Sequence, residues 1–320
     1  MPTRTPNRST DGLGGLRAPR APKRLRRRRI GHRLALLVVL VLVIAAGAFL
    51  ARHVVGAGPG AGTAIDPSAF SPGACRSFPP TGGDRHLTVF LDAGHGGVDP
   101  GGVGTTESGQ TVEEATVNLP IELDAMALLR RDGFRVVVSR TEQTSVALLN
   151  PGDVSGGLLT LSGVHDDVAA RDVCANDAHA DVLVGIYMDA GGSPTDAGAL
   201  TGYDTVRPFA GENLRLANLL QEDVLAAMNA QGWDIPNGGV RPDSSLGSAT
   251  SSAALSYGHL MLLGPAETGY FDTPSQMPGA LIEPLFLTDP FEGSLAASAK
   301  GQQVIASGLA QGIEQYFSTT

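Results

Sequence analysis

The fold of this chain is decided by the stretch Leu91-Asp92-Ala93-Gly94-His95-Gly96-Gly97-Val98-Asp99-Pro100-Gly101-Gly102. The apolar run 87–91 leads into it and predicts a buried β-strand. Gly, Asp and Pro end that strand abruptly and leave His95 at its carboxyl end. Ligands of open α/β sheets bind at such ends, and glycine lets the backbone approach them closely. The stretch therefore predicts an α/β fold with a ligand site at His95; the alternative is a glycine-rich turn with an incidental histidine.

Strands and helices are predicted to alternate beyond this stretch. Further strands are expected at 134–138, 181–187, 199–203, 259–263 and 280–286, and helices at 113–132, 166–179, 212–231 and 295–317. Such alternation is typical of a parallel or mixed sheet covered by helices. We therefore expect a single α/β domain, with a central, mostly parallel or mixed twisted sheet flanked by helices on both faces.

Charge is distributed unevenly between the beginning of the chain and the rest. Residues 1–33 carry a net charge of +10, whereas the whole chain carries −9 and the remainder therefore −19. The basic tail is rich in Pro, Arg and Gly, which predicts disorder. An acidic domain binds nucleic acid poorly, because neutralising phosphates needs clustered Lys and Arg. No nucleic-acid partner is expected.

An apolar segment of 18 residues, 34–51, follows the basic tail. As a helix it would span about 27 Å, close to the thickness of a bilayer core. Basic residues before it favour a cytoplasmic amino terminus, so we expect a single-pass membrane protein with its domain outside the cell. A signal peptide cleaved near Ala46-Gly47-Ala48 is the alternative and would give a secreted protein.

These features divide the chain into four predicted parts: a basic cytoplasmic tail at 1–33, the anchor at 34–51, a Gly/Pro/Ala-rich linker at 52–85 and a catalytic domain at 86–320. The two cysteines, Cys75 and Cys174, permit a disulfide in an exported chain, and two unpaired thiols are the alternative.

A metal-dependent hydrolase is the chemistry that the polar residues favour. His95 ends a strand and Glu114 begins a helix after a tight loop, so both side chains can reach one pocket. A His and a carboxylate with an open position make a catalytic zinc set that lacks one ligand. Glu283 sits in an apolar run, where a charge needs a partner. That partner is either a metal-bound water, for which Glu283 would be the general base, or a salt bridge to Arg140 or Arg171.

Five short motifs, taken in order, resemble the zinc-dependent N-acetylmuramoyl-L-alanine amidases of the third amidase family. The matching segments are 89–97 with 99–101, Glu114 with 117–119, 138–140, Arg171 with 175–176 and 180–181, and 278–283 with 286–287. The resemblance implies cleavage of the amide bond between N-acetylmuramic acid and L-alanine in peptidoglycan. It also implies a Zn²⁺ cofactor, a peptidoglycan partner and a monomeric enzyme, with support for the site or its substrate from Arg140, Asn176 and Asp189.

One motif departs from the family pattern, because Tyr187 stands where the family has the histidine that is the third metal ligand. Tyr187 is therefore a candidate phenolate ligand, since a bound dication lowers the pKa of a phenol. His259, Asp189 and His179 are the alternatives for the third bond. The substitution also leaves open a second function: an amidase-like domain without catalysis that binds peptidoglycan or regulates another wall hydrolase.

Overall fold

An eight-stranded mixed sheet forms the centre of the structure, a computed structural model that describes residues 62–246 and 252–318. The predicted tail 1–33 and anchor 34–51 lie outside the described residues. Within the described ranges, no helix is both long and apolar enough to cross a membrane.

Twelve strands are present in the described part of the chain. They are β1 Thr63–Ala64, β2 Ala74–Phe78, β3 Thr88–Ala93, β4 Val103–Thr105, β5 Thr111–Glu113, β6 Arg135–Arg140, β7 Val154–Ser155, β8 Leu158–Leu159, β9 Val182–Ile186, β10 Ala199–Tyr203, β11 Asn237–Pro242 and β12 Gly279–Glu283. The large sheet has the order β1-β2-β6-β3-β9-β12-β10-β11, while β4 pairs with β5 and β7 with β8. Strands β6, β3, β9 and β12 are mutually parallel, and β10 runs antiparallel to β12.

Helices cover both faces of the sheet, as the sequence predicts. They are α1 Glu114–Arg131, α2 Leu161–Asp177, α3 Ala210–Asn229, α4 Ser252–Tyr257, α5 Pro290–Ala297 and α6 Ala299–Ser318. Helices α1, α3 and α6 pack on one face, where Leu91 and Val184 point. Helix α2 packs on the other face, against Phe90 and Leu183. The alternation of these neighbouring strand residues between two cores is the period of two that a sheet imposes.

The parallel strands finish level with one another, so their carboxyl ends form one edge of the sheet, the edge that runs across the strand direction. Ala93 of β3 pairs with Ile186 of β9, and Ile186 pairs with Ile282 of β12. The residues that follow, including His95, Tyr187 and Glu283, are consequently brought to the same edge. The predicted strand-end site depends on this register.

One domain boundary differs from the sequence prediction. Residues 52–85 are not a linker throughout, because β2 lies within the sheet beside β6. The predicted disulfide is confirmed: the sulfur atoms of Cys75 and Cys174 are 2.04 Å apart and join β2 to α2. The chain begins to build the domain about 20 residues earlier than its Gly- and Pro-rich composition indicates.

The strand predicted at 259–263 is wrong. The segment forms turns, and its residues Leu262 and Leu263 are buried against the α2 face of the sheet. The last strand of the sheet is β11, which pairs with β10 and lies where the sequence predicts neither a strand nor a helix. The last helix is two helices, α5 and α6, because Ser298 between them has an extended backbone.

Candidate active site

His95 lies at the tip of the glycine-rich loop in a backbone conformation that non-glycine residues rarely adopt, with φ of 61°. Two buried arginines hold this loop by its carbonyl oxygens: Arg171 Nη2 donates to His95 O at 2.8 Å and Arg140 Nη2 to Gly94 O at 3.2 Å. Such strain persists where the surrounding structure fixes the residue and is common at active sites.

The imidazole of His95 lies between two carboxylates. Its Nδ1 is 2.7 Å from Asp99 Oδ2, and its Nε2 is 3.1 Å from Glu114 Oε2. Burial opposes a charge on the ring, but Glu114 and Asp99 outweigh it and raise the pKa of His95 to about 10. The pocket therefore attracts positive charge strongly, and without another cation a proton on His95 supplies it.

Glu114 is the first residue of α1 and is almost fully buried. Its Oε1 accepts a hydrogen bond from Met188 N at 2.9 Å, and its Oε2 accepts one from Gly102 N at 2.8 Å. Burial alone would raise the pKa of Glu114, but His95 and the two backbone donors hold it below its usual value. The carboxylate is thus fixed in its charged form with Oε2 facing His95.

Gly101 is required for this close approach. A Cβ atom on Gly101 would lie 2.5 Å from the His95 ring and 2.7 Å from Glu114 Oε2, and its φ is 68°. Gly94 makes comparable room, since a Cβ there would lie 2.3 Å from the ring of Tyr187.

Glu283 ends β12 at the same edge and lines the same cavity as His95 and Glu114. Burial, reinforced by the charges of Asp189 and Glu114, raises the pKa of Glu283 to about 8. Within the described ranges, its carboxyl group makes neither an ion pair nor a hydrogen bond, so the expected alternative of a salt bridge to Arg140 or Arg171 is wrong. Arg171 instead pairs with Asp92 and Asp167 at 2.6 and 2.7 Å.

The cavity at this edge has a volume of about 500 Å³. One wall carries the polar groups already described, and the other is formed by helix α2 and the turns that follow α4. Its polar and apolar lining residues include His95, Glu114, Tyr187, Asp189, His259, Glu283, Val164, Val168, Leu260 and Met261. A pocket with apolar walls and a few converging charged groups is typical of a site that binds and transforms a ligand.

Comparison with known proteins gives this geometry a family. The sequence profile of the N-acetylmuramoyl-L-alanine amidases matches residues 89–315. The chain belongs to this family. The matched segment contains every polar residue that lines the cavity, which we call the amidase pocket.

Three relatives illustrate the similarity. The chain is 26% identical over 230 residues to the germination-specific N-acetylmuramoyl-L-alanine amidase of Bacillus subtilis, covering 72% of this chain and 79% of that protein. It is 28% identical to AmiC of Neisseria meningitidis, covering 74% of this chain and 54% of that protein. The solved structure of the Clostridioides difficile CwlD amidase in complex with the GerS lipoprotein shares the fold, with a TM-score of 0.54, 23% identity and coverage of 73% and 100%.

Tyr187 follows β9 in this amidase and stacks edge-on against His95, with ring centroids 5.5 Å apart. Its hydroxyl donates a hydrogen bond to Asp92 Oδ2 at 3.1 Å, and Asp92 Oδ1 accepts from Arg171. Burial and the charge of Asp92 raise the pKa of Tyr187 well above its usual range. The side chain is therefore a neutral phenol anchored to Asp92. This arrangement does not provide the phenolate that the sequence suggests as a metal ligand.

The remaining predicted residues lie at different distances from the chemistry. Asp189 lines the cavity, and burial raises its pKa. Arg140 is fully buried and donates hydrogen bonds to the backbone carbonyl oxygens of Ala93 and Ala115, so it holds the backbone around the His95 loop in place. Asn176 holds a loop, donating to Pro274 O and accepting from Gln276 N, and does not line the cavity. His179, an alternative metal ligand, follows α2 and is also absent from the lining.

Asp99 is the functional residue whose role the sequence analysis misses. It fixes the ring of His95 through Nδ1 and thereby turns Nε2 toward Glu114. Carboxylate partners of this kind orient histidines that bind metals. The available signal was its position four residues after His95 in the same loop.

His259, another alternative for the third bond, belongs to a separate cluster. Its Nδ1 lies 3.0 Å from Asp204 Oδ2 and 3.3 Å from Asp243 Oδ2. These three groups form the one set of His, Cys, Asp or Glu ligand atoms with metal-like spacing within the part of the chain that the structure describes. Burial and the charge of Asp204 raise the pKa of Asp243.

The amidase pocket fits a divalent cation through two protein donors. The 3.1 Å separation of His95 Nε2 and Glu114 Oε2 is close to the edge of a tetrahedron of zinc ligands about 2.0–2.2 Å from the metal. Asp99 supplies the orienting contact. A catalytic zinc site usually has three protein ligands. The hydroxyl of Tyr187, which is neutral and bonded to Asp92, does not supply the third.

Proposed function

We propose that this protein hydrolyses the amide bond between N-acetylmuramic acid and the L-alanine of peptidoglycan stem peptides. The family assignment supports the reaction class. The single observation that carries the assignment to particular residues is the meeting of His95, Glu114 and Glu283 at one edge of the sheet, on the wall of one cavity.

In this proposal, His95 and Glu114 hold a Zn²⁺ ion, which when bound polarises the amide carbonyl and lowers the pKa of its water toward 7. Asp99 keeps the His95 ring in its orientation. Glu283 accepts the proton of the attacking water and later passes it to the nitrogen of the leaving L-alanine. Without a metal, burial raises the pKa of Glu283 to about 8; the charge of a bound Zn²⁺ would favour the carboxylate form that a general base needs.

The experiment is digestion of purified peptidoglycan sacculi by the full-length protein. Hydrolysis should release stem peptides that carry a new α-amino group on L-alanine, while the glycan strands stay intact. Cleavage within the glycan or between peptide residues would contradict the proposed bond.

A second function is favoured by one observation, the hydrogen bond from Tyr187 to Asp92. A chain with only two metal donors binds zinc less tightly, and such a relative would act by binding peptidoglycan or by regulating another hydrolase. Sedimentation with sacculi, without release of stem peptides at any zinc concentration, would support this alternative over catalysis.

We further propose that residues 34–51 anchor the protein in the cell membrane, with the domain outside. Three features support this: the uncharged apolar run, the basic residues before it, and the disulfide of the folded domain, which is stable in oxidising compartments. Protease added to intact spheroplasts should digest the domain but leave the basic tail; protection of the domain would contradict the proposed orientation.

A further inference from the structure

A second histidine, His259, lies between two buried carboxylates, Asp204 and Asp243. Asp204 directly follows β10 and Asp243 directly follows β11, and these strands are parallel with Tyr203 paired to Pro242. The register therefore places the two carboxylates side by side at the end of the strand pair. Asp204 is 0% and Asp243 2% exposed.

Two neighbouring buried carboxylates need a compensating positive charge when both are ionised. Arg207 acts on Asp204 through its charge but makes no ion pair with either carboxylate in the described ranges, because its guanidinium group donates to the carbonyl oxygens of Gly264 and Ser275. Its backbone N–H and that of Val206 bind only Asp204 Oδ1, each at 2.8 Å. Among the described residues, His259 is the side chain that makes ion pairs with both carboxylates.

The second oxygen of Asp204 is the group that points to a ligand. Asp204 Oδ2 is buried and makes no hydrogen bond among the described residues, although His259 Nδ1 lies only 3.0 Å away. The ring nitrogen is directed at Asp243, with 3.3 Å to each of its oxygens. Asp243 also accepts hydrogen bonds from Ser244 N and Leu260 N, so a single proton on Nδ1 leaves Asp204 Oδ2 as the oxygen without a donor.

A metal ion satisfies all three groups at once. One ligand atom from each residue lies within 4.8 Å of the others, and the 3.0 and 3.3 Å separations are close to those between ligands of a tetrahedral zinc ion. One imidazole and two carboxylates are a suitable donor set for zinc and similar transition metals.

The cluster is distinct from the amidase pocket. Strand β10 is antiparallel to β12, and Leu200 pairs with Glu283. Asp204, four residues further along β10, therefore lies roughly 13 Å away along the sheet, toward the opposite edge. His259 nevertheless lines the far end of the same cavity, so an ion there would fix the turns that form one cavity wall.

We propose that Asp204, Asp243 and His259 form a second divalent-cation site, which takes Zn²⁺ or a similar transition metal and fastens the segments 243–246 and 259–261, from which Leu246, His259, Leu260 and Met261 line the cavity. The site is independent of catalysis at His95 and Glu114.

Zinc titration of the EDTA-treated full-length protein, followed by calorimetry, tests this site. The Glu114→Gln variant isolates it, because that change removes a ligand of the amidase pocket. Glu114→Gln protein should bind one equivalent of zinc and gain about 5–10 °C in Tm at a hundredfold excess over Kd.

Adding Asp204→Asn or His259→Gln to the Glu114→Gln protein should weaken this binding at least about 100-fold, since even outer partners of metal ligands contribute 10–100-fold. Adding Asp223→Asn, a change at a buried aspartate remote from the cluster, should leave it unaltered. Equal zinc affinity in all three double variants would overturn the proposal.

A second measurement does not depend on whether these double variants fold. X-ray absorption on the Glu114→Gln protein with one equivalent of zinc should show one imidazole nitrogen and carboxylate oxygens around the metal. The absence of zinc binding by folded Glu114→Gln protein would equally overturn the site. Neither outcome bears on amide hydrolysis, which is measured separately with the unmodified chain.

Discussion

Two histidines in this molecule, His95 and His259, are each flanked by two carboxylates, but the arrangements differ. The carboxylates of the first, Asp99 and Glu114, contact opposite nitrogens of the ring at 2.7 and 3.1 Å. Those of the second, Asp204 and Asp243, converge on Nδ1 alone.

The two arrangements suit different roles: the first leaves space for a reacting group, and the second brings three ligand atoms together. At His95, Asp99 orients the ring through Nδ1, and Glu114 lies beside Nε2. A metal ion held between Nε2 and Glu114 would keep open coordination positions toward the cavity. Glu283 stands unpaired beside this cluster. At His259, both carboxylates converge on the same ring nitrogen, so that the cluster places three ligand atoms together. An ion held by His259, Asp204 and Asp243 would have three protein ligands, one more than His95 and Glu114 supply at the first cluster.

The largest effect is expected from Glu283→Gln, which removes the proposed general base beside the first cluster. Hydrolysis of sacculi should fall by about 10²–10⁴-fold, because general acid–base catalysis contributes that much. Zinc binding should remain, since Glu283 is not a proposed ligand. Stem-peptide release and calorimetry on the same preparation check both statements; a variant with the rate of the unmodified protein would remove Glu283 from its role.

A smaller effect is expected from Asp99→Asn, which makes the first cluster less able to orient its histidine. Zinc affinity of the amidase pocket should drop about 10–100-fold, the usual contribution of an orienting carboxylate. Asp196→Asn, at an exposed aspartate, is the matched control. If Asp99→Asn and its control bind zinc equally, the contact between Asp99 and His95 has no part in holding the metal.

The third change, Tyr187→His, gives the first cluster the ligand count of the second. An added donor that contributes only about 1.4 kcal/mol already raises zinc affinity tenfold. Tyr187→Phe removes the hydroxyl without adding a donor and should leave the affinity unchanged. Loss of zinc in Tyr187→His, with the fold intact by circular dichroism, would show that Tyr187 does not occupy a ligand position.

The smallest effect is the pH dependence of stability that Glu283 confers on the metal-free protein. Its pKa is about 8 in the folded state and near 4.5 when unfolded. Between these values the folded chain holds a proton that the unfolded chain has lost, so stability falls as pH rises from about 4.5 to 8. At pH 8, Glu283→Gln should stabilise the protein by on the order of 1–3 kcal/mol, with little change at pH 4.

Thermal unfolding at the two pH values measures this effect, with exposed Glu107→Gln as the control. Glu122, also buried with a raised pKa of about 8, should retain part of the pH dependence in the variant. An equal change in Tm at both pH values would contradict the burial of a proton on Glu283.

Much of the first cluster could be predicted from the sequence, because its residues lie next to strong local signals. His95 ends an apolar run, Glu114 opens an amphipathic helix and Glu283 interrupts a buried strand. Each signal is local, and the parallel arrangement of β3, β9 and β12 then brings His95 and Glu283 to one edge, where the tight loop after His95 also returns Glu114 at the start of α1.

The second cluster could not be predicted, because it depends on a pairing between distant strands. Asp204 and Asp243 become neighbours only through the register of β10 and β11, and β11 begins with glycines that indicate a turn. The inclusion of β2 has the same cause, since strand formation there is decided by its partner β6 rather than by its own Gly- and Pro-rich surroundings.

The central claim, that His95, Glu114 and Glu283 form one hydrolytic site, is tested most directly by stem-peptide release from sacculi by the full-length protein, by Glu114→Gln and by Glu283→Gln in the presence of zinc. We predict release of peptides with a free L-alanine amino group by the unmodified protein, and a loss of at least about 100-fold in each variant. Equal release by all three proteins, or none from the unmodified protein at saturating zinc, would contradict the claim.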